Sequence, residues 1–275
     1  MIAILGTGLL GSGFARALCK KGETVHVWNR SPARAKALEA DGCIAFADVA
    51  EAVRGATRVH ITVSDDHAVD SVVAAAKVSA GTPIYDHTTT SVAGARERTA
   101  RLPGYLHVPV FMGPRNAAES TGLMMVSGDR AAIAAATPVL STMTGKLVDL
   151  GDQVGRASAF KLLGNLFLMA VAAGFYDMLS LGKAMGVGPD DVAQLFEFFN
   201  PGVSLGTRFK RMTDADYDNV SWDLAMARKD ARVMQGEAGS APLLMLPQLA
   251  ELMDRMLARG HGEQDWTVIA QDLLR

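Results

Sequence analysis

The sequence predicts an α/β chain: a doubly wound, mostly parallel sheet of Rossmann type, then an all-helical domain entered through one long helix. Three observations carry this. Short apolar runs alternate with alanine-rich helical stretches as far as Leu150, and Gly6-Thr7-Gly8-Leu9-Leu10-Gly11 joins the first run to the first helical pattern. After Leu150 the strand pattern stops.

Runs at 2–5, 24–28, 59–63, 83–86, 106–111, 123–127 and 146–150 read as strands. The first is uninterrupted apolar sequence, as a strand buried on both faces requires. Helical stretches fall between, at 12–21, 32–40, 48–54, 66–77, 91–101 and 129–143. In the first of these Phe14, Ala15 and Leu18 recur at helical spacing and Gly22 ends the helix; Pro32 opens the second behind Ser31 in a capping position, and Asp66 caps the fourth.

From 157 to 185 nearly every residue is apolar or small and no proline intervenes, enough for a helix of roughly 40 Å at 1.5 Å per residue. Lys161, Asn165, Tyr176 and Asp177 are too many polar groups for an isolated membrane span. The helix is therefore expected to be buried on most sides, within a second domain or at a subunit interface. Further helices are expected at 189–199, 222–238, 242–259 and 265–273, dividing the chain into domains 1–153 and 154–275.

At 275 residues the chain can bury a substantial core. Its net charge of −2, with no basic run, gives no electrostatic case for nucleic acid or an anionic membrane. Cys19 and Cys43 match no metal or redox spacing, and no metal is expected. With the first strand starting at residue 2 there is no room for a cleaved leader, so the expected location is the cytoplasm. The apolar helical half predicts self-association.

The glycine turn has the chemistry of a dinucleotide entrance. Gly6 makes the tight turn, Gly8 lets backbone approach a pyrophosphate, and Gly11 lets helix and strand pack closely; Leu9 and Leu10 sit between the glycines as cofactor-contact candidates, and the helix from Ser12 aims its N-terminal N–H groups at the phosphates. About twenty residues on, an NAD site would carry an acidic residue for the ribose 2′-hydroxyl. This chain reads Asn29-Arg30-Ser31 there, a guanidinium and two short polar groups, which favours NADP(H) over NAD(H). Val63 and Ser64 follow the run at 59–63, where the crevice should open, with Asp65 and Asp66 just beyond. His60, His87 and His107, in or beside strands, read as hydrogen-bonded core or edge groups. Lys161 and Asn165, four apart, share a helical face, where a lysine amid apolar sequence either reaches water or does chemistry.

Together, the glycine turn, Asn29-Arg30-Ser31, and the Lys161/Asn165 pair resemble the β-hydroxyacid dehydrogenase family, which includes 3-hydroxyisobutyrate dehydrogenases and glyoxylate or succinic semialdehyde reductases. Asp86-His87-Thr88-Thr89 is similar to its Asp-x-Ser-Thr segment, which implies that Thr89 lies near the nicotinamide. Ala227-Arg228-Lys229-Asp230 is similar to a segment whose lysine contacts the cofactor, and Asp265-Trp266-Thr267 to its C-terminal Asp-x-Ser. The resemblance implies NADPH chemistry on a small carbonyl or hydroxyacid, with Lys161 as acid/base and Asn165 holding the substrate or orienting the lysine, and assembly as a homodimer or homotetramer. It also exposes a departure. Where the family has a carboxylate-binding Ser-Gly-Gly, this chain has Phe111-Met112-Gly113, implying a more apolar pocket in which the Gly113 N–H and Arg115 are the remaining anion-binding candidates. Two alternatives stand beside this reading: an imine reductase, which carries Asp or Tyr where Lys161 stands, and a non-catalytic NADP-binding protein.

Overall fold

The computed structural model describes residues 1–274 of the chain and divides them into two compact units, the first Met1–Asn165 and the second beginning at Leu166. In the first unit β1 (Ile2–Leu5), α1 (Leu9–Lys20), β2 (Val25–Trp28), α2 (Pro32–Lys36), β3 (Ile44–Phe46), α3 (Val49–Val53), β4 (Arg58–Ile61), α4 (Asp66–Ala76), β5 (Ile84–Asp86), α5 (Val92–Arg101) and β6 (Tyr105–His107) alternate. Six strands make a wholly parallel sheet in the order β3-β2-β1-β4-β5-β6. Its strand order reverses between β1 and β4, the place where an open α/β sheet opens a crevice.

Along β1 successive side chains serve opposite faces. Ile2 and Ile4 join Phe14, Leu18 and Val27 in one core, while Ala3 and Leu5 join Val59, Ile61 and Val69 in the other.

The remaining strands differ from expectation. The run at 106–111 is cut in two, because Pro109 has no N–H to continue the ladder. Its carbonyl accepts Met125 N–H instead, and β7 (Val110–Phe111) starts a second sheet. There β7 pairs antiparallel with β8 (Leu123–Val126), which pairs parallel with β9 (Lys146–Asp149). Between them lie α6 (Pro114–Glu119), packed on α1, and α7 (Arg130–Leu140). Neither β3 nor α6 is expected from the sequence: β3 is a half-exposed edge strand of only three residues, and α6 (PRNAAE) has no hydrophobic period. Cys19 and Cys43, distant in sequence, bring free thiols to 3.0 Å, where burial first and then the neighbouring sulfur push the Cys43 thiol up to about 12.

The long helix α8 (Arg156–Ala184) starts in the first unit, which extends past the expected boundary at 153. Its first turn is fastened there by Ser127 Oγ, which accepts Ala157 N–H, and by Ser158 Oγ, which donates to Thr90 O.

In the second unit follow α9 (Pro189–Phe198), α10 (Leu205–Asp214), α11 (Leu224–Ala238), α12 (Leu246–Ala258) and a 3₁₀ segment, Trp266–Leu273, in place of the expected final helix. The highly charged α10 was also unanticipated. Leu224, Ala231, Met253 and Val268 form this unit's core. Asp177, polar in an apolar helix, accepts the N–H groups of Met245 and Leu246 at 2.9 Å and so caps α12. The expected burial of α8 is not met within one chain, since Leu163, Leu166, Leu168 and Met169 are each about 60 % exposed or more. By length and composition α8 could also cross a membrane.

Candidate active site

At the switch point β1 runs beside β4, Leu5 opposite Ile61. The chain can turn there only without side chains. Gly6 has φ +99°, and a Cβ on it would lie 2.2 Å from Thr62 O; one on Gly11 would lie 2.0 Å from Gly6 O. Thr62 Oγ1 donates to Gly6 O, and Asn29 Oδ1 accepts Thr7 N–H at 3.1 Å, tying the turn to β2. A Cβ on Gly8, by contrast, would meet nothing within 4 Å. The first turn of α1 has no side-chain cap and no acidic residue, so its N–H groups face open space at Gly8. A negatively charged pyrophosphate fits this cradle.

Two clefts meet at the turn. One, about 590 Å³, is lined by Gly6, Asn29, Arg30, Ser31, Val63 and Ser64, as the sequence indicated, and also by Arg34, His67 and Ser71. Arg34, four residues after Arg30, joins it in this cleft, in a segment whose spacing alone does not single it out. Neither guanidinium has a carboxylate partner among the described residues, and Ser31 occupies the N-cap of α2 without spending its hydroxyl on a cap bond. Asp65, rather than Asp66, caps α4 by accepting Ala68 N–H, and it also takes the Ser64 hydroxyl.

The other cleft, about 280 Å³, brings together Leu9, Leu10, Val63, Thr89, Met112 and Lys161. His87 lines it too. Its Nδ1–H donates to Val108 O at 2.9 Å, so its Nε2 accepts His60 Nδ1–H, also at 2.9 Å. Both nitrogens are engaged inward, and burial holds His87 down to about 4 and His60 well below the usual histidine range. Histidine is thus neutral and occupied here, leaving Lys161 as the ionisable donor among the residues lining this cleft.

Burial lowers the Lys161 pKa. Its Nζ lies 4.3 Å from the centroid of the Phe111 ring, whose π face favours the cation and works against that shift. Gly164, one turn along α8, makes the stacking possible: a Cβ there would sit 2.2 Å from Phe111 Cζ. Asn165 is partly exposed and outside the residues lining this cleft.

Two anion-binding candidates are engaged elsewhere. Gly113 N–H donates to Asn116 Oδ1 at 3.0 Å, and Arg115, 86 % exposed, pairs with Glu119 one helical turn away. Lys229, on α11 in the second unit, pairs with Asp230. Asp265, fully buried, accepts Arg211, Ser221 and Thr267, a structural hub.

A glycine cradle at the switch point of a parallel sheet, flanked by a guanidinium-lined cleft and an amine-bearing one, defines a dinucleotide-dependent oxidoreductase. Residues 1–151 match the family of the NAD binding domain of 6-phosphogluconate dehydrogenase. The chain is 24 % identical to 2-(hydroxymethyl)glutarate dehydrogenase of Eubacterium barkeri over 98 % of its length and 93 % of that protein's. To a probable 3-hydroxyisobutyrate dehydrogenase of Mycobacterium tuberculosis it is 30 % identical over 68 % of its own length and 65 % of the relative's. In fold it is similar to an imine reductase from Myxococcus stipitatus in complex with NADP+, with TM-score 0.89, 20 % identity and 99 % of each chain covered. The chain belongs to the β-hydroxyacid dehydrogenase family, within the 6-phosphogluconate dehydrogenase superfamily, and is an NAD(P)-dependent oxidoreductase.

Proposed function

We propose that the chain is an NADP(H)-dependent oxidoreductase interconverting an uncharged aldehyde or ketone and its alcohol, with Lys161 as proton donor and acceptor. The observation that carries this is Lys161 itself, the ionisable donor of its cleft, with one side taken by the Phe111 ring. When bound, the nicotinamide supplies or accepts the hydride. As a carbonyl carbon gains hydride its oxygen gains negative charge; the Lys161 ammonium stabilises that charge and delivers the proton. Alcohol oxidation runs the same transfer backward, and burial of Lys161 makes its neutral form more accessible for that direction.

No guanidinium lines this cleft, and a substrate carboxylate would compete for Lys161 with the reacting oxygen. That supports a neutral substrate held by Met112, Val110 and Phe111. Thr89, exposed between buried Thr88 and Thr90 and lining the cleft, supports a contact with the nicotinamide end. Arg30, Arg34 and Ser31 support a 2′-phosphate and hence NADP(H).

The fold likeness to an imine reductase favours a second reading, reduction of an imine. An iminium ion would meet the Lys161 cation and needs no proton after hydride arrives, so the carbonyl reading is preferred. The deciding experiment is NADPH oxidation against short hydroxyacid-derived aldehydes, apolar aldehydes and ketones, and cyclic imines. Fastest turnover with the apolar carbonyls is expected. Preference for carboxylate-bearing substrates refutes the neutral-substrate reading, and preference for imines replaces it.

A further inference from the structure

The segment 88–90 presents Thr89 to the cleft, and buried groups grip it from several sides. Asp86, fully buried, accepts Thr88 N–H through Oδ1 at 2.9 Å and the Tyr105 hydroxyl through Oδ2 at 2.6 Å. Arg98, 1 % exposed, donates from Nε to the Tyr105 oxygen at 3.1 Å and from its terminal nitrogen to Asp66 Oδ1 at 2.5 Å. Asp66 lies at the start of α4, whose Asp65 and Ala68 line the guanidinium cleft. From the other side His107 Nε2–H donates to Thr88 O at 2.9 Å. Ser158, fully buried, donates from Oγ to Thr90 O at 2.6 Å.

Ser158 precedes Lys161 by three residues, so the two lie one helical turn apart on the same side of α8. One chain of hydrogen bonds thus runs from Asp66, beside the residues that line the guanidinium cleft, through Arg98, Tyr105 and Asp86, across the threonine segment, to the turn of helix that carries the amine. Charged groups this deeply buried hold a fold no better than well-packed apolar ones would. What they supply is fixed geometry, because each hydrogen bond has one good arrangement and a broken one leaves a buried polar atom without a partner.

We propose that Ser158 and the Asp86–Tyr105–Arg98 chain are positioning residues that set Thr89 and Lys161 at a fixed separation, so that nicotinamide and proton donor address the same carbonyl. The inference rests on Lys161 as the proton donor. A reacting geometry displaced by about 1 Å can cost a hundredfold in rate, whereas binding of NADPH, anchored mainly at the glycine turn and the two guanidiniums, should hardly change.

The test compares Ser158→Ala and Tyr105→Phe with Thr144→Val, a buried hydroxyl that bonds Gly122 O in the second sheet. For each, NADPH affinity, the emission of bound NADPH, kcat on the best carbonyl and Tm are measured. Ser158→Ala and Tyr105→Phe are expected to lower kcat about tenfold to a hundredfold. They should also change the emission of bound NADPH while leaving its Kd within about twofold. Thr144→Val should lower Tm alone. Emission and kcat unchanged in Ser158→Ala overturn the proposal, as does a loss that merely follows Tm as it does in Thr144→Val. Tyr105→Phe leaves two buried groups unpartnered; should it fail to fold, Ser158→Ala, which removes one hydroxyl, decides alone. Full kcat in Lys161→Ala would instead overturn the donor assignment, and the emission change in Ser158→Ala, which needs no proton transfer, tells that failure apart.

Discussion

Acid should destabilise the first unit well above the range in which carboxylates titrate. The folded chain holds His60 and His87 neutral, one donating to the other in a fully enclosed pair, and desolvation holds His87 at about 4 and His60 well below the histidine range. In the unfolded chain each returns to about 6.5. Between those values the unfolded chain binds a proton that the folded chain refuses. Stability is therefore full above about pH 6.5 and falls as the pH falls toward 4. For His87 alone the loss is about 2 kcal/mol at pH 5 and about 3 kcal/mol at pH 4. His60 and His107, both also lowered by burial, act in the same direction. Asp149 and Asp265, held at about 2 chiefly by the Arg130 pair and by backbone and side-chain hydrogen bonds that outweigh burial, act only below their unfolded value of 3.8, outside this window. Urea unfolding followed through Trp28, the tryptophan of the first unit, checks this in variants lacking Trp222 and Trp266. The midpoint should drop steeply between about pH 6.5 and 5. A midpoint constant across that interval would mean that the histidine pair accepts protons while folded, and would refute the tautomer assignment and its energetics together.

Four further outcomes are expected. Lys161→Ala should lower kcat roughly 10²–10⁴-fold with NADPH affinity retained, checked by steady-state kinetics and fluorescence titration. Phe111→Leu keeps apolar bulk but removes the π face. Carbonyl reduction needs the Lys161 ammonium and is lost as pH rises through its pKa, so the alkaline limb of the pH profile should move to lower pH. Arg30→Ala and Arg34→Ala should each weaken NADPH about tenfold to a hundredfold and leave NADH nearly unchanged, as isothermal titration would show. Light scattering should give a mass that is a multiple of 29.1 kDa, and Leu168→Glu on the exposed face of α8 should reduce it toward one chain.

The nucleotide end was legible because its requirements are local. Gly6, Gly8 and Gly11, the run at 2–5 and Asn29-Arg30-Ser31 announce themselves within thirty residues, and the structure gathers them at one switch point. The other end depends on groups distant in the chain. Nothing in the spacing of Phe111 and Gly164 says that the Phe111 ring fills the notch at Gly164, nor that His60 and His87 bond each other. Arg115 looked like an anion clamp because a sequence does not show that Glu119 lies one turn away on a short helix with no apolar period. The division at Pro109 does carry a mark, a residue without an N–H inside a strand run, but nothing local says which sheet each half joins.

The two unpaired guanidiniums have a consequence for how a coenzyme arrives. Arg30 and Arg34 stand exposed in a concave wall against one carboxylate, Asp65, so their field reaches into solvent before any contact forms. At physiological salt that reach is about 8 Å, and at low salt it is several times longer. Capture of a phosphate-bearing ligand is thus a matter of ionic atmosphere as well as fit. Added salt should slow its arrival far more than it speeds its departure.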